Sequence, residues 1–84
     1  SVEEVMRRFP EVAEYQVEVA VNRAMTELKI NVEPGANVTD TEGFRKTLEE
    51  SLRTALQIRI PVQLVPQNSL PRFEMKAKRW VRLQ

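Results

Sequence analysis

The sequence contains no cysteine and no histidine in its 84 residues. These absences exclude disulfides, thiol nucleophiles and imidazole bases, and they remove the side chains that hold nearly all zinc and haem sites. We therefore expect no metal-binding residues in this chain. A domain without cysteine also lacks the usual staples of small secreted proteins, which favours a cytoplasmic location. Any chemistry here has to use carboxylates, hydroxyls, lysine or arginine.

Long hydrophobic runs are missing as well. The longest unbroken apolar stretch has three residues, as in Val19-Ala20-Val21, whereas a membrane-spanning helix needs about 20. Hydrophobic residues make up 42% of the chain and charged residues 30%, a balance that favours a globular domain over a disordered one. A chain of this length can bury one thin core, so we expect a single small domain with little room for a deep pocket.

Two segments have the signals of helices. Ser1 and Glu4 have the spacing of a capping box, and Pro10 ends the short helix that they open. Thr39 or Asp40 can cap a second, longer helix. The second helix has one apolar stripe, formed by Phe44, Leu48, Leu52, Ala55 and Leu56. The two glutamates at positions 49 and 50 are interpreted as its solvated outer side.

Three segments alternate between apolar and polar residues, as half-buried strands do. Their apolar positions are Ala13, Tyr15, Val17, Val19 and Val21, then Leu28, Ile30 and Val32, and finally Ile58, Ile60, Val62 and Leu64. Residues 22–26 join the first two strands as an antiparallel hairpin. Glu14 and Glu33 fall at polar positions of these strands. Pro61 cannot donate a ladder hydrogen bond, so the third strand should lie at an edge or contain a bulge.

The order is therefore helix, strand, strand, helix, strand, followed by a basic C-terminal segment. An antiparallel or mixed sheet with the helices on one face would bury every apolar stripe at once. This arrangement is a small α+β sandwich of the ferredoxin-like class.

The charge is distributed unevenly along the chain. Residues 71–84 carry five basic and one acidic side chain, a net +4, whereas residues 1–70 carry eight basic and eleven acidic, a net −3. A cationic tail of this kind indicates contact with an anion, most commonly a phosphate. Solubility is the simpler explanation for Lys78 and Arg79, and packing at the edge of the core is the simpler explanation for Trp80.

The same tail resembles a known signature. The run Leu70-Pro71-Arg72-x-Glu74-x-Lys76-Ala77-Lys78-Arg79 is similar to the C-terminal motif of phenylacetate–coenzyme A ligases, typically Leu-Pro-Arg-Ser-Glu-Gly-Lys-Ala-Lys-Arg. The helix at the start of the chain, the hairpin and the third strand also fall where that family has them. The resemblance thus covers essentially all 84 residues. Phe73 and Met75 depart from it, since they replace the Ser and Gly of the motif.

The resemblance implies membership of the adenylate-forming superfamily. In these enzymes a carboxylate attacks ATP to give an acyl-adenylate, and coenzyme A then displaces AMP to form a thioester. The expected cofactors are ATP, with Mg held by a large N-terminal domain, and coenzyme A. Residues 1–84 would be the mobile C-terminal lid, and its partners would be that N-terminal domain and a small aromatic or acyl carboxylate. We expect no activity from the lid alone.

Two residues of the motif are candidate site residues. Lys76 matches the family's catalytic lysine, whose ammonium would stabilise charge that shifts onto pyrophosphate. Arg72 is a candidate cofactor-binding residue. The family's hinge aspartate would precede Ser1, and a helix that begins at residue 1 also indicates a fragment of a longer protein.

A second interpretation remains open from the sequence. A stand-alone binding or regulatory α+β module could contact nucleic acid through the basic tail. Against this, the predicted sheet has no pair of exposed aromatic residues for stacking on bases, and the body of the chain is acidic. Nucleic acid is therefore the less favoured partner.

Overall fold

The computed structural model describes residues 1–72 and 79–83, and they form two helices and four strands. The elements, in chain order, are α1 (Val2–Arg7), β1 (Val12–Asn22), β2 (Met25–Pro34), α2 (Thr41–Leu56), β3 (Val62–Leu64) and β4 (Trp80–Leu83). The predicted α+β class and the predicted order of helices and strands are confirmed. Lys76, Phe73 and Met75 lie outside the described residues.

The strands form one mixed sheet in the order β3-β2-β1-β4. The central strands β1 and β2 are antiparallel, while β3 runs parallel to β2 and β4 runs parallel to β1. β3 is therefore an edge strand, as Pro61 predicts. The carbonyl of Pro61 still accepts a hydrogen bond from the amide of Ile30 at 3.0 Å.

Both helices start at the predicted caps. The Ser1 side chain and the Glu4 side chain satisfy each other's backbone amides in a complete capping box. Asp40 caps α2 by accepting a hydrogen bond from the amide of Gly43 at 3.0 Å. The caps satisfy amides that have no partner within the helix, so the helix starts are fixed locally.

The core lies between the helices and one face of the sheet. Its buried residues are Val2, Val5, Met6, Tyr15, Val17, Ile30, Val32, Leu48, Leu52, Ile60 and Val62. Phe9 and Phe44 join the ends of the two helices through an edge-to-face contact, with ring centroids 6.4 Å apart. The two long strands extend past the cover of the helices, which leaves Val21 and Met25 exposed near the hairpin tip.

The hairpin turn is built without glycine. Arg23 and Ala24 separate β1 from β2, and both have positive φ angles, 51° and 66°. This is the backbone region that two-residue hairpins require, since its twist matches that of the strands, and it is usually occupied by Asn-Gly or similar pairs. The turn therefore places two side chains in a region that costs free energy for any residue with a Cβ atom.

Several boundaries differ from the prediction. The third strand was expected over residues 58–64, but only Val62–Leu64 form a ladder, and Ile58 is exposed. The register of β1 shifts between Val12 and Glu14, so Ala13 turns outward instead of joining the apolar face. Ala55, expected in the stripe of α2, is also exposed. The basic segment contributes a strand of its own, β4, which the sequence analysis did not predict.

We expect Leu52→Ala to destabilise the domain by about 2–5 kcal/mol, because Leu52 is fully buried and its truncation leaves a cavity beneath the sheet. Chemical denaturation at constant pH measures the change. Ile58→Ala is the matched control, since Ile58 is 50% exposed and surface truncations change stability by about 0.5 kcal/mol or less. Equal losses in the two variants would contradict this description of the core.

We expect Ala24→Gly to stabilise the domain by about 0.5–1 kcal/mol, because glycine adopts the φ of 66° without steric cost. The thermal midpoint should rise. Ala20→Gly, within β1, is the control and should lower the thermal midpoint, since glycine weakens a strand interior. A fall in both variants would show that the turn is not strained.

Candidate functional site

Two glutamates face each other across the central strands. Glu14 of β1 and Glu33 of β2 are direct Cα partners in the antiparallel ladder. Both are buried, with exposed fractions of 5% and 1%. Two buried carboxylates at opposed positions repel each other, and each loses hydration, so the pair needs cations or hydrogen-bond donors. The basic C-terminal segment supplies them.

The carboxylate of Glu33 accepts hydrogen bonds from the residues that precede the segment 73–78. Its Oε1 accepts a hydrogen bond from Nη2 of Arg72 at 2.7 Å, and its Oε2 accepts one from the amide of Leu70 at 3.3 Å. The same Nη2 of Arg72 donates to Oδ1 of Asn68 at 3.0 Å. Asn68 has a left-handed φ of 64°, which turns the chain toward Glu33 after β3. One buried carboxylate thus binds both a side chain and the backbone of the incoming segment.

The carboxylate of Glu14 forms an ion pair with the residue that follows the segment 73–78. Nε of Arg79 donates to Oε1 of Glu14 at 2.8 Å. The guanidinium of Arg79 also stacks over the ring of Tyr15, 5.0 Å from its centroid. From the next residue, β4 pairs with β1, starting with Trp80 beside Val17. The outgoing end is therefore held by a side-chain ion pair, an aromatic contact and a strand ladder.

The ionisation of these groups follows from their contacts. The hydrogen bond from Arg72 holds the pKa of Glu33 below its ordinary value, although burial acts in the opposite direction. The same pair raises the pKa of Arg72, and the hydrogen bond to Glu14 raises the pKa of Arg79. Burial raises the pKa of the Tyr15 phenol, and Arg79 partly offsets this effect. Both arginines are charged at neutral pH, and Glu33 is ionised.

The two predicted site residues have different outcomes. Lys76 lies outside the described residues, so its predicted role stays a prediction. Arg72 is half exposed, with 54% of its side chain accessible. Its recorded hydrogen bonds to Glu33 and Asn68 both use Nη2. Nη1 takes part in neither of these two hydrogen bonds, so the geometry is compatible with an anion beside it.

Three minor interpretations of the sequence were wrong. Arg79 is not a solvated surface cation, because only 24% of its side chain is exposed and it pairs with Glu14. Trp80 is 46% exposed and does not pack into the edge of the core. Glu49 is not simply solvated, since its Oε2 accepts hydrogen bonds from the amide of Val62 and from Arg45, each at 2.8 Å.

The carboxylates that hold the tail were missed by sequence reasoning. Alternation assigned Glu14 and Glu33 to a solvated face, and nothing local marks them as buried. One signal was available: a −3 body and a +4 tail in one short chain predict that some body acids pair with tail bases. Which acids do so depends on the register of the hairpin, which the sequence pattern alone leaves undetermined.

Within residues 1–72 and 79–83, no group of three or more acidic side chains is arranged to hold a metal ion. In the same part of the chain, neither helix has the length and apolar character needed to cross a bilayer.

The sequence matches the model of a known family. The model of the AMP-binding enzyme C-terminal domain matches residues 1–83. The chain therefore belongs to the family of C-terminal domains of AMP-binding enzymes. A comparison with curated protein sequences gave no significant match.

Solved structures of coenzyme A ligases share the fold. A domain of phenylacetate-coenzyme A ligase from Bacteroides vulgatus ATCC 8482 superposes with a TM-score of 0.79 at 22% identity, over 98% of this chain and 79% of that one. A 2-hydroxyisobutyryl-CoA ligase in complex with 2-HIB-AMP and CoA, in the thioesterification state, gives 0.80 at 28% identity over 96% of this chain. The same ligase in the postadenylation state with R3-HIB-AMP gives 0.82 at 27% identity over 99%. This chain spans only 18–19% of the length of those two ligase chains.

We expect Glu33→Gln to weaken the dependence of the free energy of unfolding on pH in the acidic range. Because the folded pKa of Glu33 is lowered, its ionised form stabilises the fold above the ordinary value near 4.5, and this contribution is lost as pH falls through the folded pKa. The free energy of unfolding of the variant should be below that of the wild type at pH 7, and this difference should narrow as pH falls below 4.5. Urea denaturation across this range measures both.

Glu18→Gln is the matched control for this prediction. Glu18 lies on the same strand as Glu14, and its side chain contacts Asn31 and Lys29, while its backbone position pairs with Val81 of β4. A Glu33→Gln curve that stays parallel to the wild type down to pH 3 would contradict the assignment of Glu33.

Proposed function

We propose that this chain is the C-terminal lid domain of an acid–thiol ligase that forms an acyl-adenylate and then a coenzyme A thioester. The observation that carries the proposal is the family match over residues 1–83, together with the fold shared with coenzyme A ligases. A larger N-terminal domain would hold ATP, Mg and the acid. The lid would meet that domain in the cytoplasm, and a domain of this size would not catalyse the reaction by itself.

The first half-reaction defines what a lid residue has to do. An oxygen of the substrate carboxylate bonds to the α-phosphorus of ATP, and the bond from that phosphorus to the pyrophosphate oxygen breaks. Negative charge shifts onto pyrophosphate as this bond breaks. A cation placed at that position stabilises the transition state more than the ground state, which is the requirement for catalysis.

Lys76 is the proposed catalytic cation. It holds the lysine position of the motif Leu70–Arg79, and its ammonium is a compact donor on a long, flexible stem. The step needs no proton transfer, which suits a chain without histidine.

Arg72 is the proposed cofactor-binding residue. Its guanidinium is half exposed, and Glu33 and Asn68 hold it through one nitrogen. The opposite side of the guanidinium would then be available to a phosphate of ATP or coenzyme A, because the planar fork can serve two anions at once.

The proposed substrate is a small carboxylic acid, and phenylacetate is the first candidate. This choice rests on the similarity of the Leu70–Arg79 run to the phenylacetate–coenzyme A ligase motif. A short acyl acid such as 2-hydroxyisobutyrate is the second candidate, because ligases named for it are 27–28% identical to this chain.

A nucleic-acid-binding or regulatory module is the less favoured function. Two of the cations that would form a basic surface, Arg72 and Arg79, are already paired with buried carboxylates. Pairing of this kind reduces the positive potential that non-specific nucleic-acid binding requires.

We expect Lys76→Ala, made in the full-length ligase, to slow acyl-adenylate formation by about 100- to 1,000-fold, because one preorganised cation at the developing charge is lost. Release of pyrophosphate from ATP and acid measures this step. Thioester formation from supplied acyl-adenylate and coenzyme A should change far less.

Lys46→Ala is the control, since Lys46 is an exposed lysine of α2. It should leave both half-reactions unchanged. Normal adenylation by the Lys76→Ala enzyme would overturn the assignment of Lys76, and no adenylation by the wild-type ligase with any acid would overturn the proposed function.

A further inference from the structure

We infer that Glu33, and to a smaller extent Glu14, are positioning residues that fix the two ends of the segment carrying Lys76. The inference rests on the proposed function, because it assigns these glutamates a role in the same adenylation step. Neither glutamate belongs to the Leu70–Arg79 motif. Both lie about 40 to 60 residues earlier in the sequence, and only the folded hairpin brings them to the tail.

The geometry places the two attachment points side by side. Arg72 and Arg79 flank residues 73–78, and each is bound to one of two residues that are direct partners across β1 and β2. The chain therefore starts and ends the Lys76 segment at neighbouring points of the most extensively paired part of the sheet. An attachment of this kind limits the positions that Lys76 can reach relative to the domain.

Burial makes the attachment at Glu33 strong. Glu33 is 1% exposed, so an ionised carboxylate there depends on its donors for the solvation that water no longer provides. Its donors are the Arg72 side chain and the backbone of Leu70 and Asn68. Releasing Arg72 would leave a buried charge with neutral amide donors only, and this cost keeps Arg72 bound.

The two ends differ in how many restraints they have. After Arg79 the chain enters β4, whose ladder with β1 holds the backbone in addition to the Glu14 ion pair. At the other end, the Leu70 amide donates to Glu33, and the Arg72 side chain donates to Glu33 and Asn68. Loss of Glu33 should therefore displace Lys76 more than loss of Glu14.

The test uses the full-length ligase with the variants Glu33→Gln, Glu14→Gln and Lys76→Ala. Misplacing a catalytic group by about 1 Å can cost 100-fold in rate, so we expect Glu33→Gln to lower kcat for acyl-adenylate formation by about 10- to 100-fold. Glu14→Gln should have a smaller effect. The readout of Lys76 positioning is kcat at saturating ATP, because Glu33 also holds Arg72 and a changed phosphate contact of Arg72 is read in the KM for ATP.

A double variant separates positioning from a general structural effect. If Glu33 acts through Lys76, adding Glu33→Gln to the Lys76→Ala enzyme should slow adenylation no further. Multiplicative losses in the double variant would overturn the inference. Thioester formation from supplied acyl-adenylate serves as the internal control, and Glu18→Gln, a polar change at a side chain that contacts Asn31 and Lys29, should leave adenylation unchanged.

Arg72→Lys covers the case in which Glu33→Gln unfolds the protein. This change is made at a half-exposed side chain and keeps the charge, but it removes the planar guanidinium that bridges Glu33 and Asn68. At saturating ATP and coenzyme A, kcat for adenylation should fall about tenfold or more, and adding Arg72→Lys to the Lys76→Ala enzyme should lower kcat no further, because a lost phosphate contact of Arg72 is read in KM. Wild-type adenylation rates in both Glu33→Gln and Arg72→Lys would refute the inference while leaving the role of Lys76 intact. Wild-type adenylation in Lys76→Ala would instead refute the proposed function.

Discussion

The opposed carboxylates of Glu14 and Glu33 are the constraint on which the C-terminal half of the structure depends. They are buried as direct partners in the central ladder, so their repulsion and lost hydration must be offset by donors from elsewhere in the chain. Arg72 and Arg79 provide those donors, and in doing so they bring the tail back onto the hairpin. Formation of β4 beside β1 follows from this return.

This arrangement gives the basic tail an internal role as well as an external one. Part of its charge neutralises the acidic body, and the pairs are made at the two sides of the Lys76 segment. The apolar core on the other side of the sheet holds the strands in register, so an interaction between helices and sheet ultimately determines where Arg72 and Arg79 bind.

Much of the fold could be predicted because its signals are local. The capping box at Ser1, the cap at Asp40 and the stripe through Leu48 and Leu52 each depend on residues three or four positions apart. β4 could not be predicted in this way. It has four residues, of which only Val81 is partly buried, it contains a cation, and it becomes a strand because β1 offers it an open edge.

The sequence by itself determined the class of the domain, the order of its main elements and, through the motif around Lys76, the family to which it belongs. Only the tertiary structure decided which acids the basic tail meets. Alternation identifies Glu14 and Glu33 as polar positions, but the hairpin register makes them neighbours and the turn at Asn68 directs Arg72 toward one of them. Arg72 and Glu33 are separated by 39 positions in the sequence, and Arg79 and Glu14 by 65. Such contacts depend on the packing of the whole chain, so no local pattern specifies them.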